Sequence, residues 1–388
     1  MLITSENYLK VLTRLKKEYS DLPWYRRWWF TLWSTNLSFA LAAIDPNNPT
    51  TEQVDDLLKA SDNAWFFNTI FDLITQFRQS ISKLSYSGQP DEIKKEIGAR
   101  LDTNNLSNLA LISPDVFKLF QPMLDVRKFL LAVVHGEYDE VEAMLMKKTN
   151  FLTQKSLVTD YSGRKFFNIS GFQYALWALD KHMWTKMLHC LPLSEEGAKV
   201  KAALLEQYRE LKENGVTYQR NGELITERHF DFEKTIIKGL QATVRGFYYQ
   251  IKTWDELDKQ MFEHVGSAQK LLPMHVIYEY CSEEPFSETP KFIEQPPSKT
   301  QFENNGSCKW EPWFHSDSKL GVDFVIGKGP WERARSMVQA ADVDVWQWDL
   351  WAMEALCKLR TADFRDLESI LLKLLEVGNQ PASKTCSL

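Results

Sequence analysis

Several things are scarce in this sequence, and each scarcity removes a class of function. Cysteine is limited to Cys190, Cys281, Cys308, Cys357 and Cys386. The number is odd, the positions are scattered and there is no C-x-x-C pair, which fits reduced thiols in a reducing, cytosolic setting better than a disulfide framework. Positive charge is outweighed: 46 Lys and Arg against 52 Asp and Glu leave a formal charge of −6. General nucleic-acid binding draws on clustered cations to neutralise phosphates, so no nucleic-acid partner is expected. Gly327-Lys328-Gly329-Pro330 lacks the spacing that aims backbone amides at phosphate, and reads as a turn. His182, His189 and Cys190 return to one helical face but lack the second pair that zinc wants. Neither a metal nor a cofactor is expected. The opening residues MLITSENYLKVLTRLKK interleave charge with apolar residues and do not read as a secretory signal, so any export is expected to proceed without a cleaved leader.

What is abundant is aromatic area, 13% of the chain with 14 Trp, which points to a large folded core. Its densest run is Trp24, Tyr25, Trp28, Trp29, Phe30 and Trp33, with Arg26 and Arg27 among them. That composition suits a membrane interface, with Trp24, Trp28 and Trp29 as the contacts. A buried helix accounts for it better, since a domain of this size needs fully buried helices, and the run is too short and too polar to span a bilayer. Thr50 and Gln53 form a capping box, and the stripe Phe66, Ile70, Leu73, Phe77, Ile81 and Leu84 predicts a long amphipathic helix. A short helix over 93–101 and a polar linker DTNNLSN follow, which places a boundary near Asn105.

The middle of the chain repeats itself. At an offset of 43 positions Phe129 falls on Phe172, Ala132 on Ala175, Met144 on Met187 and Leu145 on Leu188. Each copy reads as two short helices with apolar stripes, broken at Gly136 in the first and at Asp180-Lys181 in the second. Here the chain resembles the ankyrin repeat. Asp160-x-x-Gly163 looks like the turn that opens a unit, Ser170-Gly171-Phe172-Gln173-Tyr174-Ala175 stands where that family has T-P-L-H-x-A, and Ala132-x-x-x-Gly136 matches the end of the first helix. Leu179 stands at the second copy's glycine position, and Gly171 and Gln173 replace the proline and histidine. The period exceeds the family's ~33 residues, and the surplus falls on one side of the helix pair, where it would enlarge the hairpin fingers. Two copies are fewer than the ~3 that close such a core, so other helices must cap them. Ankyrin proteins usually bind partners on the fingers. Tyr161, Arg164, Lys165, Phe166 and Phe167, which mix charge with aromatic area, are therefore the candidate partner-binding residues.

Beyond the repeat, a helix over 198–213 leads to VTYQRNGELIT, where Asn221-Gly222 is a hairpin signal. Helices are predicted over 232–249 and 254–262. The segment 284–313 carries Pro285, Pro290, Pro296, Pro297 and Pro312 and is expected to be irregular, packed down by its aromatic residues. The end reads as two helices, the second capped by Thr361.

Taken together, the enlarged repeat pair, GVTYQRNGELITERHFDF, VGSAQKLLPMHVIYEYC and DLWAMEALCKLRTADFRDLESIL resemble secreted effectors of Legionella and related intracellular bacteria, over about 125–375. The resemblance implies delivery into a eukaryotic host cytoplasm and action on a host protein. The expected fold is all-α with minor β-hairpin content: an N-terminal helical bundle with the Trp-rich helix (1–105), an ankyrin-like repeat region (106–270), and a Pro-rich wrap with a C-terminal helical cap (271–388). The expected function is a non-enzymatic scaffold or adaptor that binds a host protein. No catalytic residues are assigned. The alternative is a cysteine-dependent hydrolase or transferase, for which Cys308, His315 and Asp317 lie close in sequence but show no electropositive setting for a thiolate.

Overall fold

The computed structural model describes residues 90–378 apart from 193, 316 and 341, together with residues 17, 20 and 21. The Trp-rich stretch and the 66–84 helix lie outside the described residues. The chain divides into two compact units, Met1–Gly98 and Ala99–Leu388. Helix α1 (Asp91–Arg100) leads from the first unit into the second, which holds every other element described.

The DTNNLSN segment is not a linker but a helix, α2 (Thr103–Ala110), started by the Asp102 carboxylate, which accepts from the Asn105 N–H at 2.8 Å. A polar composition hid it, because Leu106 and Ala110 alone carry its buried face. Helix α3 (Pro114–Val134) begins earlier than the repeat pattern suggests, with Ser113 as N-cap and Pro114 at the first turn. Glu137 ends the turn into α4 (Tyr138–Lys147), and a 3₁₀ turn leads to the hairpin β1 (Lys155–Thr159) and β2 (Lys165–Ser170). Ser170 and Gln173 form a reciprocal capping box that starts α5 (Gly171–Trp177), which turns into α6 (Lys181–His189).

The two helix pairs lie side by side, α3 against α5 and α4 against α6. Their turns are built alike. In the first, the Glu137 N–H donates to Ala132 O at 2.9 Å and the Gly136 N–H to Val133 O at 3.0 Å; in the second, the Asp180 N–H donates to Ala175 O at 2.9 Å and the Leu179 N–H to Leu176 O at 3.1 Å. This paired pattern needs a left-handed residue at its centre. Gly136 supplies it at φ +68, and Leu179, fully buried, adopts φ +58. A leucine is held there against its own preference by the packing around it.

Helix α7 (Glu195–Asn214) then feeds β3 (Val216–Arg220) and β4 (Glu223–Glu227), with Asn221 and Gly222 both at positive φ in the hairpin turn. The strands order as β1-β2-β3-β4, so the two hairpins form one antiparallel sheet. A π turn (Glu233–Ile237) enters α8 (Lys238–Tyr248), and α9 (Trp254–Gln260) leaves through a second π turn (Met261–Gly266). Helix α10 (Met274–Cys281) is buried along its whole length.

The Pro-rich segment is irregular only in part. Its prolines sit before β5 (Gln301–Asn304) or at the last position of β6 (Lys309–Pro312), where a missing N–H costs no ladder bond. With β7 (Val325–Gly327) and β8 (Arg335–Met337) these make a second sheet, ordered β6-β5-β8-β7, that the sequence pattern did not announce. The end is one helix, α11 (Val343–Gly378), with no break at Thr361, because Arg360 and Phe364 on either side are both buried and hold the helix to its neighbours. One apolar core runs from α3 to α11 and includes Trp177, Trp313 and Trp346, so 106–270 and 271–378 are not separate bodies. The architecture is mostly helical with two small sheets.

Candidate functional site

The first sheet has a buried and an open face, as a half-solvated antiparallel sheet should. Inward, Phe166 is fully buried, edge-on to Tyr174 and Trp177 at 5.4 and 5.1 Å, with Tyr218 beside it at 5.3 Å. Outward, the pairing Lys165 to Gln219 and Gln219 to Leu224 puts Lys165, Phe167, Thr217, Gln219, Leu224 and Thr226 on one surface. Phe167 is 47% exposed and Leu224 69%, and the Lys165 ammonium lies 5.3 Å from the Phe167 ring centre.

Two of the five candidate residues therefore belong to the interior. Phe166 is core. Arg164 is 3% exposed: it donates to Asp160 Oδ2 at 3.2 Å, to Ser162 Oγ at 2.6 Å and to Leu271 O at 2.8 Å, and its guanidinium lies 5.1 Å from the Trp177 ring. Charge beside aromatics suggested a contact surface, but the planar guanidinium instead pins the β1–β2 turn to the loop before α10. Burial pushes the Asp160 carboxyl up, and Arg164 opposes that rise.

Tyr161, at the tip of the turn, is sandwiched between His135 at 4.0 Å and Phe314 at 4.8 Å, both rings nearly parallel to its own. It keeps 47% of its surface in solvent and lines a cleft of about 500 Å³ with Lys270 and His315. Lys165, Phe167 and half of Tyr161 are thus the candidate residues that face outward.

The candidate chemistry does not assemble. Cys308 is exposed in the β5–β6 turn at φ +52, with its thiol toward Asn305 O, while His315 Nδ1 accepts from the Asp317 N–H at 3.1 Å. Burial raises the Cys190 and Cys357 thiols and pushes Cys281 up to about 12, the opposite of what a nucleophile needs. His182 faces a guanidinium, His189 is exposed, and among the described residues no cluster of three or more metal-ligating side chains occurs. Among those same residues no helix is long and apolar enough to cross a membrane. Trp24, Trp28 and Trp29 lie outside them.

Residues 235–371 match the family described as CBUA0006 C-terminal domain. Over 284 residues, 66% of this chain and 78% of the relative, the sequence is 32% identical to a Coxiella burnetii protein named "Uncharacterized protein CBUA0006". The chain belongs to the CBUA0006 family. No solved structure matches it.

The CBUA0006 C-terminal domain is joined to the helix pairs by a seam of buried charge. Asp180 caps α6 by accepting from the Met183 N–H at 3.0 Å and also accepts from Tyr138 Oη. Burial lifts its carboxyl to about 6. Across from it, Arg360 of α11 is fully buried and donates to His182 Nε2 at 2.9 Å, Asp363 at 3.1 Å and Phe292 O at 3.0 Å, with Glu279 of α10 at 3.9 Å. Burial, then the Arg360 charge, drives His182 down to about 3, and burial lifts Glu279 to about 7. Lys181 reaches Asp363 at 2.8 Å. Lys328, the centre of the glycine-lysine turn, is wholly buried: its ammonium donates to Glu279 O, Ser282 O and Ser282 Oγ within 2.9 Å. The Asp349 carboxylate accepts the Lys328 and Gly329 N–H groups. Sequence reading missed this seam, although Asp349 and Arg360 do interrupt an otherwise apolar helical face.

Proposed function

We propose that this member of the CBUA0006 family is a non-enzymatic adaptor of an intracellular bacterium, delivered into the host cytoplasm, where it binds a host protein. The binding surface in this reading is the outer face of the first sheet. One observation carries it: the hairpin that joins the two helix pairs and the hairpin after α7 are hydrogen-bonded into a single sheet whose open face presents Phe167 and Leu224 with Lys165 and Gln219. Exposed aromatic and aliphatic area on a rigid base, edged by charge, is the composition of interface anchors.

The ankyrin-like reading belongs to the same proposal. It is supported by helix pairs in matching register, by turns with the same hydrogen bonds, and by the sheet formed where fingers would lie. In it, Lys165, Phe167 and Tyr161 make contact, while Arg164 and Phe166 keep the finger in shape.

Capture from host lysate, with wild type and Phe167→Asp/Leu224→Asp side by side, tests the reading. The double variant is expected to lose the captured protein at an unchanged melting temperature, and equal capture by both sinks the proposal. The cysteine-dependent alternative gains no support from the raised thiols. Intact-mass labelling that finds one hyper-reactive cysteine would revive it.

A further inference from the structure

The turn between α8 and α9 gathers apolar side chains that the adaptor reading does not use. Tyr248, Tyr249, Ile251 and Trp254 are 56, 72, 69 and 53% exposed. Large apolar side chains standing singly in solvent are ordinary, but a cluster of them at one tip marks a contact site.

The tip is rigid. Helix α8 ends in paired bonds, the Ile251 N–H donating to Gly246 O at 3.2 Å and the Gln250 N–H to Phe247 O at 3.0 Å, with Gln250 left-handed at φ +50. Such an ending normally lays its last residue, here Ile251, on the side chain at the position of Gly246. A Cβ at Gly246 would fall 2.7 Å from Leu257 Cδ2. Close packing of α9 on α8 thus removes the cover that Ile251 would otherwise have. Tyr248 and Trp254 lean on the Phe247 ring at 5.7 and 5.5 Å, and Phe247 is seated on the core. Thr253 and Glu256 close the start of α9 with a reciprocal capping box. The backbone donors of Tyr249, Gln250, Ile251 and Thr253 are all met from within, so an apolar surrounding strands none of them.

Charge at the tip is balanced. Arg245 and Lys252 are exposed and form no ion pair among the described residues, while Asp255 and Glu256 oppose them from the first turn of α9. Two cations beside two carboxylates suit a zwitterionic surface better than an anionic one. A phosphocholine headgroup offers a phosphate to the guanidinium and ammonium and a quaternary ammonium to the aromatic faces. Tyrosine and tryptophan are the residues that bilayer interfaces favour, since each pairs an apolar body with a polar handle.

We propose that the α8–α9 tip inserts into the interface of a phosphatidylcholine bilayer, with Tyr249, Ile251 and Trp254 among the lipid groups and Arg245 and Lys252 at the phosphates. A helix-hairpin tip of this kind needs no shaped pocket opposite it, and a bilayer offers none. The tip belongs to the CBUA0006 C-terminal domain and acts independently of the first sheet and its partner.

Co-sedimentation of the full chain with phosphatidylcholine vesicles tests it. Wild type is expected to sediment with them, and replacing about a third of the lipid by phosphatidylserine is expected to change the partition coefficient by less than about threefold, because the carboxylates offset the cations. Tyr249→Ser/Ile251→Ser is expected to lower partitioning by about tenfold or more at an unchanged melting temperature, since both side chains already face solvent. Bromine-labelled lipid is expected to quench the fluorescence of wild type more than that of Trp254→Phe. Phe167→Asp/Leu224→Asp is expected to sediment like wild type, which separates this test from that of the adaptor reading. Equal sedimentation of wild type and the tip variant, or no sedimentation of either, overturns the proposal. Binding that requires phosphatidylserine overturns the choice of a zwitterionic lipid. A tip variant that keeps its vesicles but loses a captured host protein assigns the tip to a protein partner instead.

Discussion

Tyr138 Oη lies 3.1 and 3.2 Å from the two carboxylate oxygens of Asp180, a buried hydrogen bond from the first residue of α4 to the cap of α6. The two positions belong to different copies of the repeat, so one hydroxyl ties their helix pairs together at the point where each turns. Burial and the Asp180 charge both raise the Tyr138 phenol well above its ordinary range, which keeps it a donor.

Removing that donor leaves a buried carboxylate with one partner fewer. Tyr138→Phe is expected to lower unfolding stability by about 1.5–3 kcal/mol in urea titrations, the range for bonds to charged groups. A change below about 0.5 kcal/mol would show that the bond contributes nothing to joining the copies.

Arg164 and Phe167 are three residues apart and should respond in opposite ways. Arg164→Ala strands the 7% exposed Asp160 without its counter-charge and is expected to cost about 3–5 kcal/mol. Phe167→Asp removes a half-exposed ring and is expected to cost less than about 1 kcal/mol while lowering partner capture. Denaturant titration of both variants checks the ordering, and a reversed order would contradict the assignment of Arg164 to the interior.

Two glycines with positive φ separate backbone conformation from crowding. A Cβ at Gly163, φ +78, meets nothing within 4 Å, so Gly163→Ala is expected to cost about 1 kcal/mol from conformation alone. A Cβ at Gly136, φ +68, falls 2.8 Å from Tyr278 Cε2 and 3.0 Å from Met274 Cβ. Gly136→Ala is therefore expected to cost about 1–3 kcal/mol more than Gly163→Ala, since overpacking adds to the backbone term. Equal melting temperatures for the two variants would refute this.

The Asp349 carboxyl is pushed up to about 7 by burial, against the two backbone donors that favour its ionised form. A carboxyl raised on folding holds a proton that the unfolded chain releases. Its stabilising contribution is complete below the unfolded value near 4 and is lost as pH climbs through 7. Asp349→Asn removes that dependence. Between pH 5 and 7, wild-type stability is expected to fall with pH more steeply than the variant's, by about 1.4 kcal/mol per unit. Glu279 at about 7 and Asp180 at about 6 act in the same sense as Asp349, whereas His182 and His275, held near 3 by burial, act in the opposite sense below pH 6.5. Parallel curves for wild type and variant would place the Asp349 proton elsewhere.

The helix pairs were legible because apolar periodicity is local: Phe129 and Phe172 are both fully buried where the stripe put them. Asn221-Gly222 was legible for the same reason, a turn chemistry contained in two residues. Arg164 was not, because its partners Leu271 and Trp177 come from elements whose approach no local pattern encodes. The second sheet was hidden by short strands, three or four residues each, too brief for alternation to register.

Arg360 has a consequence for how the molecule is made. Synthesis runs from the N-terminus, and the guanidinium that His182 meets is added 178 residues later. At ~5–20 residues per second the first helix pairs wait about 10–40 s on the ribosome before that charge exists. Until then His182 and Glu279 have no guanidinium to face. Final docking of the helix pairs against Arg360 thus follows the synthesis of α11.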